Sequence, residues 1–385
     1  MILSEEQAMA RDTARAFARE RLAPTAAERD RSHRFPREEL RDLGRLGFLG
    51  LTVPVEWDGS GADAVTMAVV LEEIAAGDAA IATVVSGHNS VGCNPIAGYG
   101  TDAQKERFLR PMARGEKLSA FCLTEAHGGS DAGAMTTRAV RHGDRYVLDG
   151  TKQFITTGKN GDVALVFAKT APEKGAKGIS CFLVPTDTPG YVVVRVEDKL
   201  GQRGSDTCQI AFEAMEVPAE FRLGEEGEGY RIALANLESG RIGIAAQAIG
   251  IARAALEVAT DYARERAVFG RPIIEHQAVG FRLARMASRL ESARQLVLHA
   301  AALKDAGRPC LMEACMAKLE ASEIAEFVCS EAIQTLGGYG YLADFPVERL
   351  WRDARVTRIY EGTNDIQHLV ILREMQRRHE AGGRA

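Results

Sequence analysis

The strongest constraint on the fold of this 385-residue chain is a change of period partway along it. From about residue 119 to about 225 the apolar residues stop recurring like those of a helix. The runs DRYVLDGTKQFITTG, DVALVFAKT, GISCFLVPTD, YVVVRVEDKL and CQIAFEAMEVP take over. They are short, rich in β-branched and aromatic residues, and punctuated by Gly, Pro, Asp and Lys, which predicts a compact all-β unit, a sandwich or barrel. Before it, Ser4-Glu-Glu-Gln7 fits a capping box. The chain breaks at Pro54, Gly59 and Gly61, and helix resumes in AVTMAVVLEEIAA. After it, Val279, Leu283, Met286, Leu290, Ala293, Val297 and Ala300 step by four and three, and Ile242, Ile249 and Leu256 recur every seven. These stripes predict the buried faces of a helical bundle. The expected organisation is α+β and multidomain: a helical domain over 1–118, a β domain over 119–225 and a helical bundle over 226–385.

Several classes of function are unsupported. The net charge is −5 with no basic tract, which argues against nucleic acid or an anionic membrane as main partner. Cys93, Cys122, Cys181, Cys208, Cys310, Cys315 and Cys329 are odd in number and contain no CxxC pair, so a reducing compartment is expected, without a disulfide framework or zinc site. No HExxH, GxSxG, Walker A loop or early GxGxxG occurs. The first twenty residues lack the apolar core of a signal peptide, and Glu5, Glu6 and Asp12 disfavour a transit peptide. No apolar run looks long enough to span a bilayer. The expectation is a cytoplasmic protein.

A few segments carry chemistry, each beside a plainer reading. In FCLTEAHGGSD (121–131), Gly128, Gly129 and Ser130 offer N–H and hydroxyl donors to an anion, although a Gly-Gly-Ser turn is often only a turn. In KQFITTG, Phe154 and Thr156 fall on one face of a regular strand, suited to a flat heterocycle or to an ordinary half-buried surface. Arg264, Arg266 and Arg271 surround Phe269-Gly270, where a helix is expected to end. Those arginines either complement the helix dipole or clamp a pyrophosphate. Gly337-Gly338 reads as a C-cap or as a close approach of backbone to a dinucleotide.

In RIYEGTNDIQ (358–367), Asn364 can cap a helix beginning at Asp365, with Gln367 reaching back. That does not call for Glu361, which on these residues alone reads more readily as a solvated glutamate before a cap than as a base.

Taken in order, FCLTEAHGGSD, KQFITTG, LGQRGSDT, ESGRIGIAAQAIGIA, RAVFGRPIIEHQ, QTLGGYGY and RDARVTRIYEGTNDIQ resemble the acyl-CoA dehydrogenase family over nearly the whole chain, closest to short-chain, butyryl-type members. The resemblance implies FAD and the oxidation of a short- to medium-chain acyl-CoA, straight or branched, to the trans-2-enoyl-CoA, as in fatty acid β-oxidation. It implies Glu361 as the base for the α-proton. It places Phe121, Leu123, Thr124, Gly129, Ser130, Phe154, Thr156, Thr363 and Asp365 at FAD. Gly337 would also bind FAD, and Arg266, Phe269, Gln277, Gln334 and Gly338 would reach the FAD of a neighbouring subunit in a homotetramer, a dimer of dimers. Ser130, Glu238, Arg241, Tyr360 and Gly362 would join Glu361 around the substrate, with Glu238 and Arg241 paired at its CoA end. Electron-transferring flavoprotein is the implied acceptor. Residue 240, where some members carry the base, is glycine. Phe154 replaces a usual Trp, Ala126-His127 a usual Pro-Gly, Val268 a polar residue and Glu238 a usual Asp. Two other readings stand beside this one: an oxygen-using oxidase or monooxygenase of the same fold, and a catalytically silent acyl-CoA-binding protein.

Overall fold

The computed structural model describes residues 1–382. α1 (Glu5–Phe17) begins at the predicted capping box: the Ser4 hydroxyl accepts the Gln7 N–H, and the Gln7 side chain accepts the Ser4 N–H. α2 (Ala64–Gly77) and α3 (Ala79–Gly87) are capped by Asp63 and Asp78. Both are apolar around most of their circumference and almost wholly buried, as a helix enclosed by neighbours must be.

The β region holds β1 (Ser119–Cys122), β2 (Arg138–His142), β3 (Arg145–Thr156), β4 (Val163–Lys169), β5 (Ile179–Pro185), β6 (Tyr191–Val196), β7 (Thr207–Pro218) and β8 (Arg222–Leu223). Their order is β6-β7-β3-β2-β4-β5-β8, with β1 parallel to β4. β2 and β4 touch only at Arg138 and Lys169, so two halves meet at one bridge. Tyr146 of β3 packs edge-on to Phe182 of β5 with ring centroids 4.9 Å apart, joining the halves through a common interior.

Five helices follow: α4 (Gly229–Glu265), α5 (Gln277–Asp305), α6 (Leu311–Leu336), α7 (Val347–Arg355) and α8 (Asn364–Gly382). α4, α5 and α6 pack on one another, and α7 and α8 lie against α6. The predicted stripe from Leu283 to Ala300 is buried, as are Ile242 and Ile249. Val279 and Leu256 are half-buried against the same core. That core also takes in α2 and α3, so the two helical domains close around shared apolar residues.

Three expectations are corrected. α4 is long and apolar enough to cross a membrane by length and composition, contrary to the sequence reading, but 72% of its most apolar window is buried in the protein. It is the central core helix. α8 starts at Asn364, and Thr363 is its cap: the Thr363 hydroxyl faces the Ile366 N–H at 3.4 Å, and its carbonyl accepts from Gln367 at 3.0 Å. The Asn364 side chain instead turns inward to Lys318 and Ser322. Finally, α4 does not stop on a glycine cap. Phe269 (φ +52°) and Gly270 (φ +80°) form the tip of a tight hairpin pairing Ala267-Val268 with Arg271-Pro272, as two consecutive positive φ angles allow.

Candidate active site

A cavity of about 280 Å³ opens where α3, the β region, α4 and the 360–362 loop converge. α3 supplies Thr83, Val84 and Gly87, with His88 and Val91 just beyond it. The β region supplies Phe121, Leu123, Thr124, Gly129, Ser130, Phe154 and Thr156. From α4 come Leu237, Arg241 and Ile244, and from the loop Tyr360, Glu361 and Gly362.

The FCLTEAHGGSD loop owes its shape to a buried ion pair. Lys152 Nζ, fully buried, lies 2.9 Å from Glu125 Oε1 and donates to Leu123 O at 3.0 Å. The Glu125 carboxylate also accepts from the backbone N–H and hydroxyl of both Thr136 and Thr137. Burial alone would raise its pKa; Lys152 and the threonine donors outweigh burial and hold it at about 2. Thr124, Gly129 and Ser130 thereby face the cavity on a loop pinned from below.

Phe154 does not sit in regular strand geometry. The register of β3 on β7 shifts between Lys152 and Ile155, and Phe154 takes φ +59°. A bulge thus re-aims the ring, and both Phe154 and Thr156 still reach the cavity. Phe154 remains 63% exposed, so it forms the cavity rim.

Tyr360 is fixed by side chains from three other segments. Its hydroxyl donates to Gln247 Oε1 at 2.8 Å and accepts from Gln202 Nε2 at 3.2 Å. Gln247 Nε2 donates to Thr83 Oγ1 at 2.6 Å, and the Thr83 hydroxyl donates to Gln202. This closed network ties α3, α4, the Gln202 loop and the 360–362 loop together.

Glu361 sits next to that anchor in the left-handed region, φ +53°, followed by Gly362 at φ +87°. A glutamate there costs about 1–3 kcal/mol and persists only when its surroundings hold it. Gln367 Nε2 donates to Gly362 O at 2.9 Å and Glu361 O at 3.3 Å; Lys318 Nζ donates to Gly362 O at 2.8 Å. The side chain is half-buried, and its Oε2 is buried with no hydrogen-bond partner. Burial raises its pKa to about 7, against the opposing pull of Arg241 and Lys318. A Cβ at Gly240 would lie 2.5 Å from Glu361 Oε2, so α4 leaves the carboxylate its space by carrying a glycine. The backbone N–H of Glu361 has no protein acceptor among the described residues and is available to a ligand.

The far wall is neutral. His88 Nε2 lies 3.0 Å from Met112 O, which can only accept, so Nε2 carries the hydrogen. His88 Nδ1 then accepts the Ser119 N–H at 3.2 Å. Burial pushes its pKa down to about 4, leaving the ring uncharged at neutral pH.

Family models for the N-terminal, middle and C-terminal domains of acyl-CoA dehydrogenase match residues 4–116, 120–215 and 227–376. The chain belongs to the acyl-CoA dehydrogenase family. An acyl-CoA dehydrogenase of Bacillus subtilis is 48% identical over 371 residues, covering 96% of this chain and 98% of that one. Butyryl-CoA dehydrogenase from Megasphaera elsdenii superposes with a TM-score of 0.96 at 42% identity, over 98% of this chain and 99% of that one. A chain solved in work on the electron transferring flavoprotein of Acidaminococcus fermentans gives 0.96 at 44% identity, over 97% and 99%.

This acyl-CoA dehydrogenase is therefore an oxidoreductase, and its family is one of FAD flavoproteins. The cavity fits that cofactor: the Gly129 Cβ position meets only the Thr124 methyl at 3.6 Å, leaving the approach to its backbone open. Phe154, Thr156 and Ser130 line the same side.

Not every expected residue gathers at the cavity. Arg266, Phe269, Gln277, Gln334, Gly337 and Gly338 are all exposed at one end of the bundle, outside the cavity walls. Thr363 and Asp365 lie just beyond the loop, and Asp365 is exposed. Glu238 and Arg241 form no ion pair with each other. Glu238 accepts from Cys310 Sγ and faces Lys304 at 3.6 Å, whereas Arg241 turns into the cavity beside Glu361. They are three residues apart on α4, near enough to pair, but Cys310 and Lys304 hold Glu238 while Arg241 turns to the cavity.

The sequence reading missed Thr83, Gly87, His88, Gln247 and Lys318. One signal was present for Lys318: a lysine inside ACMAKLEASEIA, a stretch whose inner face is otherwise apolar apart from Ser322.

Proposed function

We propose that the protein oxidises a short- to medium-chain acyl-CoA to the trans-2-enoyl-CoA, with Glu361 as the base and electron-transferring flavoprotein as acceptor. The observation that carries this reading is the Glu361 carboxylate: its Oε2 buried and unpartnered, held in a strained turn, with a pKa near 7. A base of that affinity is ionised near neutral pH yet strong enough to draw a proton from carbon once the site stabilises the product. Bound FAD supplies the acceptor for the β-hydride.

This chain supplies the rest. Glu361 Oε2 is positioned over Gly240 to take the α-proton. The free Glu361 N–H can stabilise charge developing on the thioester oxygen. Tyr360, locked by Gln247 and Gln202, walls the reacting carbons from water. Val84, Gly87, Val91 and Ile244, with neutral His88, offer the acyl tail an apolar, uncharged enclosure.

The reading includes a cytoplasmic homotetramer. The set Arg266, Phe269, Gln277, Gln334, Gly337 and Gly338 supports it, since these residues are exposed and line no part of their own chain's cavity. Seven free, buried cysteines are in keeping with a reducing compartment.

Anaerobic mixing of the flavin-loaded protein with a series of acyl-CoAs tests the reading. Expected are flavin bleaching by at least one acyl-CoA, slow reoxidation by air, fast reoxidation by electron-transferring flavoprotein, and no bleaching in Glu361→Gln. A fully active Glu361→Gln sinks the assignment, and rapid reoxidation by air favours an oxidase.

A further inference from the structure

Lys318 is fully buried in α6, far in sequence from the loop it serves. Its Nζ donates to Gly362 O at 2.8 Å and to Asn364 Oδ1 at 2.9 Å. Ser322, one turn further along α6, donates to the same Asn364 oxygen at 3.2 Å. An ammonium and a hydroxyl thus grip the peptide that follows Glu361 and the first residue of α8. Gln367 completes the clamp from the other side through Gly362 O. This geometry explains how two successive left-handed residues are maintained on a loop with little regular structure.

A buried lysine is a costly way to hold a turn. A neutral donor would make the same two hydrogen bonds without the desolvation of a charge. What the lysine adds is its charge. Lys318 and Glu361 form no direct ion pair, so the carboxylate is left unneutralised for chemistry while feeling a nearby positive charge. We propose that Lys318 is a positioning residue that both locks the Glu361–Gly362 turn and supplies a fixed positive charge beneath the base.

Burial lowers the Lys318 pKa to about 8, opposed by Glu361, so it is mainly protonated near neutral pH. The groups facing Glu361 are Arg241 from α4, Lys318 from α6 and the adjoining Tyr360. Arg241, Arg358 and Cys315 also surround Lys318. A positive charge favours the ionised carboxylate, so Lys318 pulls the Glu361 pKa down. Removing the charge must therefore move the acid limb of the reaction to higher pH.

The inference rests on Glu361 being the base. The test is the pH dependence of anaerobic flavin reduction by butyryl-CoA in the holoenzyme, for wild type, Lys318→Gln, Lys318→Met, Lys318→Arg and Asn364→Ala. In the two neutral variants the acid limb is expected to rise by about one pH unit, so the rate at about pH 6 falls roughly tenfold more than at about pH 9. Lys318→Arg should keep the limb near its wild-type position. Asn364→Ala, which loosens the clamp without changing charge, should slow reduction equally at every pH. An unmoved limb in the neutral variants, or an equal shift in Asn364→Ala, overturns the inference. Should neither neutral variant fold with flavin, a displaced limb in Lys318→Arg overturns it, and a retained limb there with uniformly slowed Asn364→Ala supports it. Glu361→Gln separates the two levels: full activity in that variant defeats the underlying reading, whereas an inactive Glu361→Gln with an unmoved Lys318→Gln limb defeats this inference alone.

Discussion

Gly240 and Glu361 contend for one space: a Cβ on residue 240 would stand 2.5 Å from Glu361 Oε2 and 2.8 Å from its carboxyl carbon. The position is tight because α4 passes directly beneath the carboxylate. Gly240→Ala is therefore expected to push Glu361 out of line while leaving flavin binding intact. A displacement near 1 Å costs roughly a hundredfold in rate. Stopped-flow flavin reduction, with the flavin spectrum as control, measures it; an unchanged rate would show that Glu361 tolerates a second position.

The Glu361 pKa near 7 predicts the pH dependence of the free enzyme. The reacting form is the carboxylate, so kcat/KM should climb as pH rises through about 7 and then level off. Stability carries the opposite sign. A carboxyl whose folded pKa is raised above its unfolded value stabilises the fold below the unfolded pKa, and that contribution is lost as pH rises through about 7. Glu361→Gln should remove this loss, so its thermal midpoint relative to wild type should improve between about pH 5 and 8. Parallel denaturation curves at all pH values would contradict it.

Gly87 lines the cavity with nothing within 4 Å of where its Cβ would be. Gly87→Val should fill space meant for the acyl tail without disturbing the base. Longer acyl-CoAs should lose about fourfold in kcat/KM per displaced methylene, from about 0.8 kcal/mol of burial each, while the shortest substrate is spared. Equal losses across a chain-length series would place the tail elsewhere.

Glu125 predicts an acid sensitivity independent of catalysis. Its pKa is depressed to about 2, so its contribution is present above the unfolded value of about 4.5 and is lost as pH falls toward 2. Glu125→Gln should cost about 3–5 kcal/mol at neutral pH, because it leaves the fully buried Lys152 charge without its counter-ion. Chemical denaturation at pH 7 and pH 4 checks both statements; the difference between wild type and variant should shrink at the lower pH.

Much of the molecule could be read from local pattern. The capping box at Ser4, the stripe from Leu283 to Ala300 and the short runs of the β region each rest on residues adjacent in sequence or one turn apart. Such signals act through the backbone period, which a sequence displays directly. Glu361 was singled out only by the family resemblance, since its own neighbours read as well with a solvated glutamate before a helix start. Tertiary contacts decided the rest. Thr363 rather than Asn364 caps α8 because Lys318 and Ser322 draw the asparagine side chain inward. Phe154 leaves regular strand geometry because the register on β7 slips. Arg241 turns to the cavity while Glu238 faces Lys304, although four residues of one helix hold both. Above all, the proton affinity of Glu361 is set by burial, by Arg241 from α4 and by Lys318 from α6, groups scores of residues away along the chain. Local sequence specifies period and caps. The pKa and direction of Glu361 are a different matter. They arise from desolvation and charge at distances of a few ångströms, and those distances exist only once the helices and the β region have closed around it.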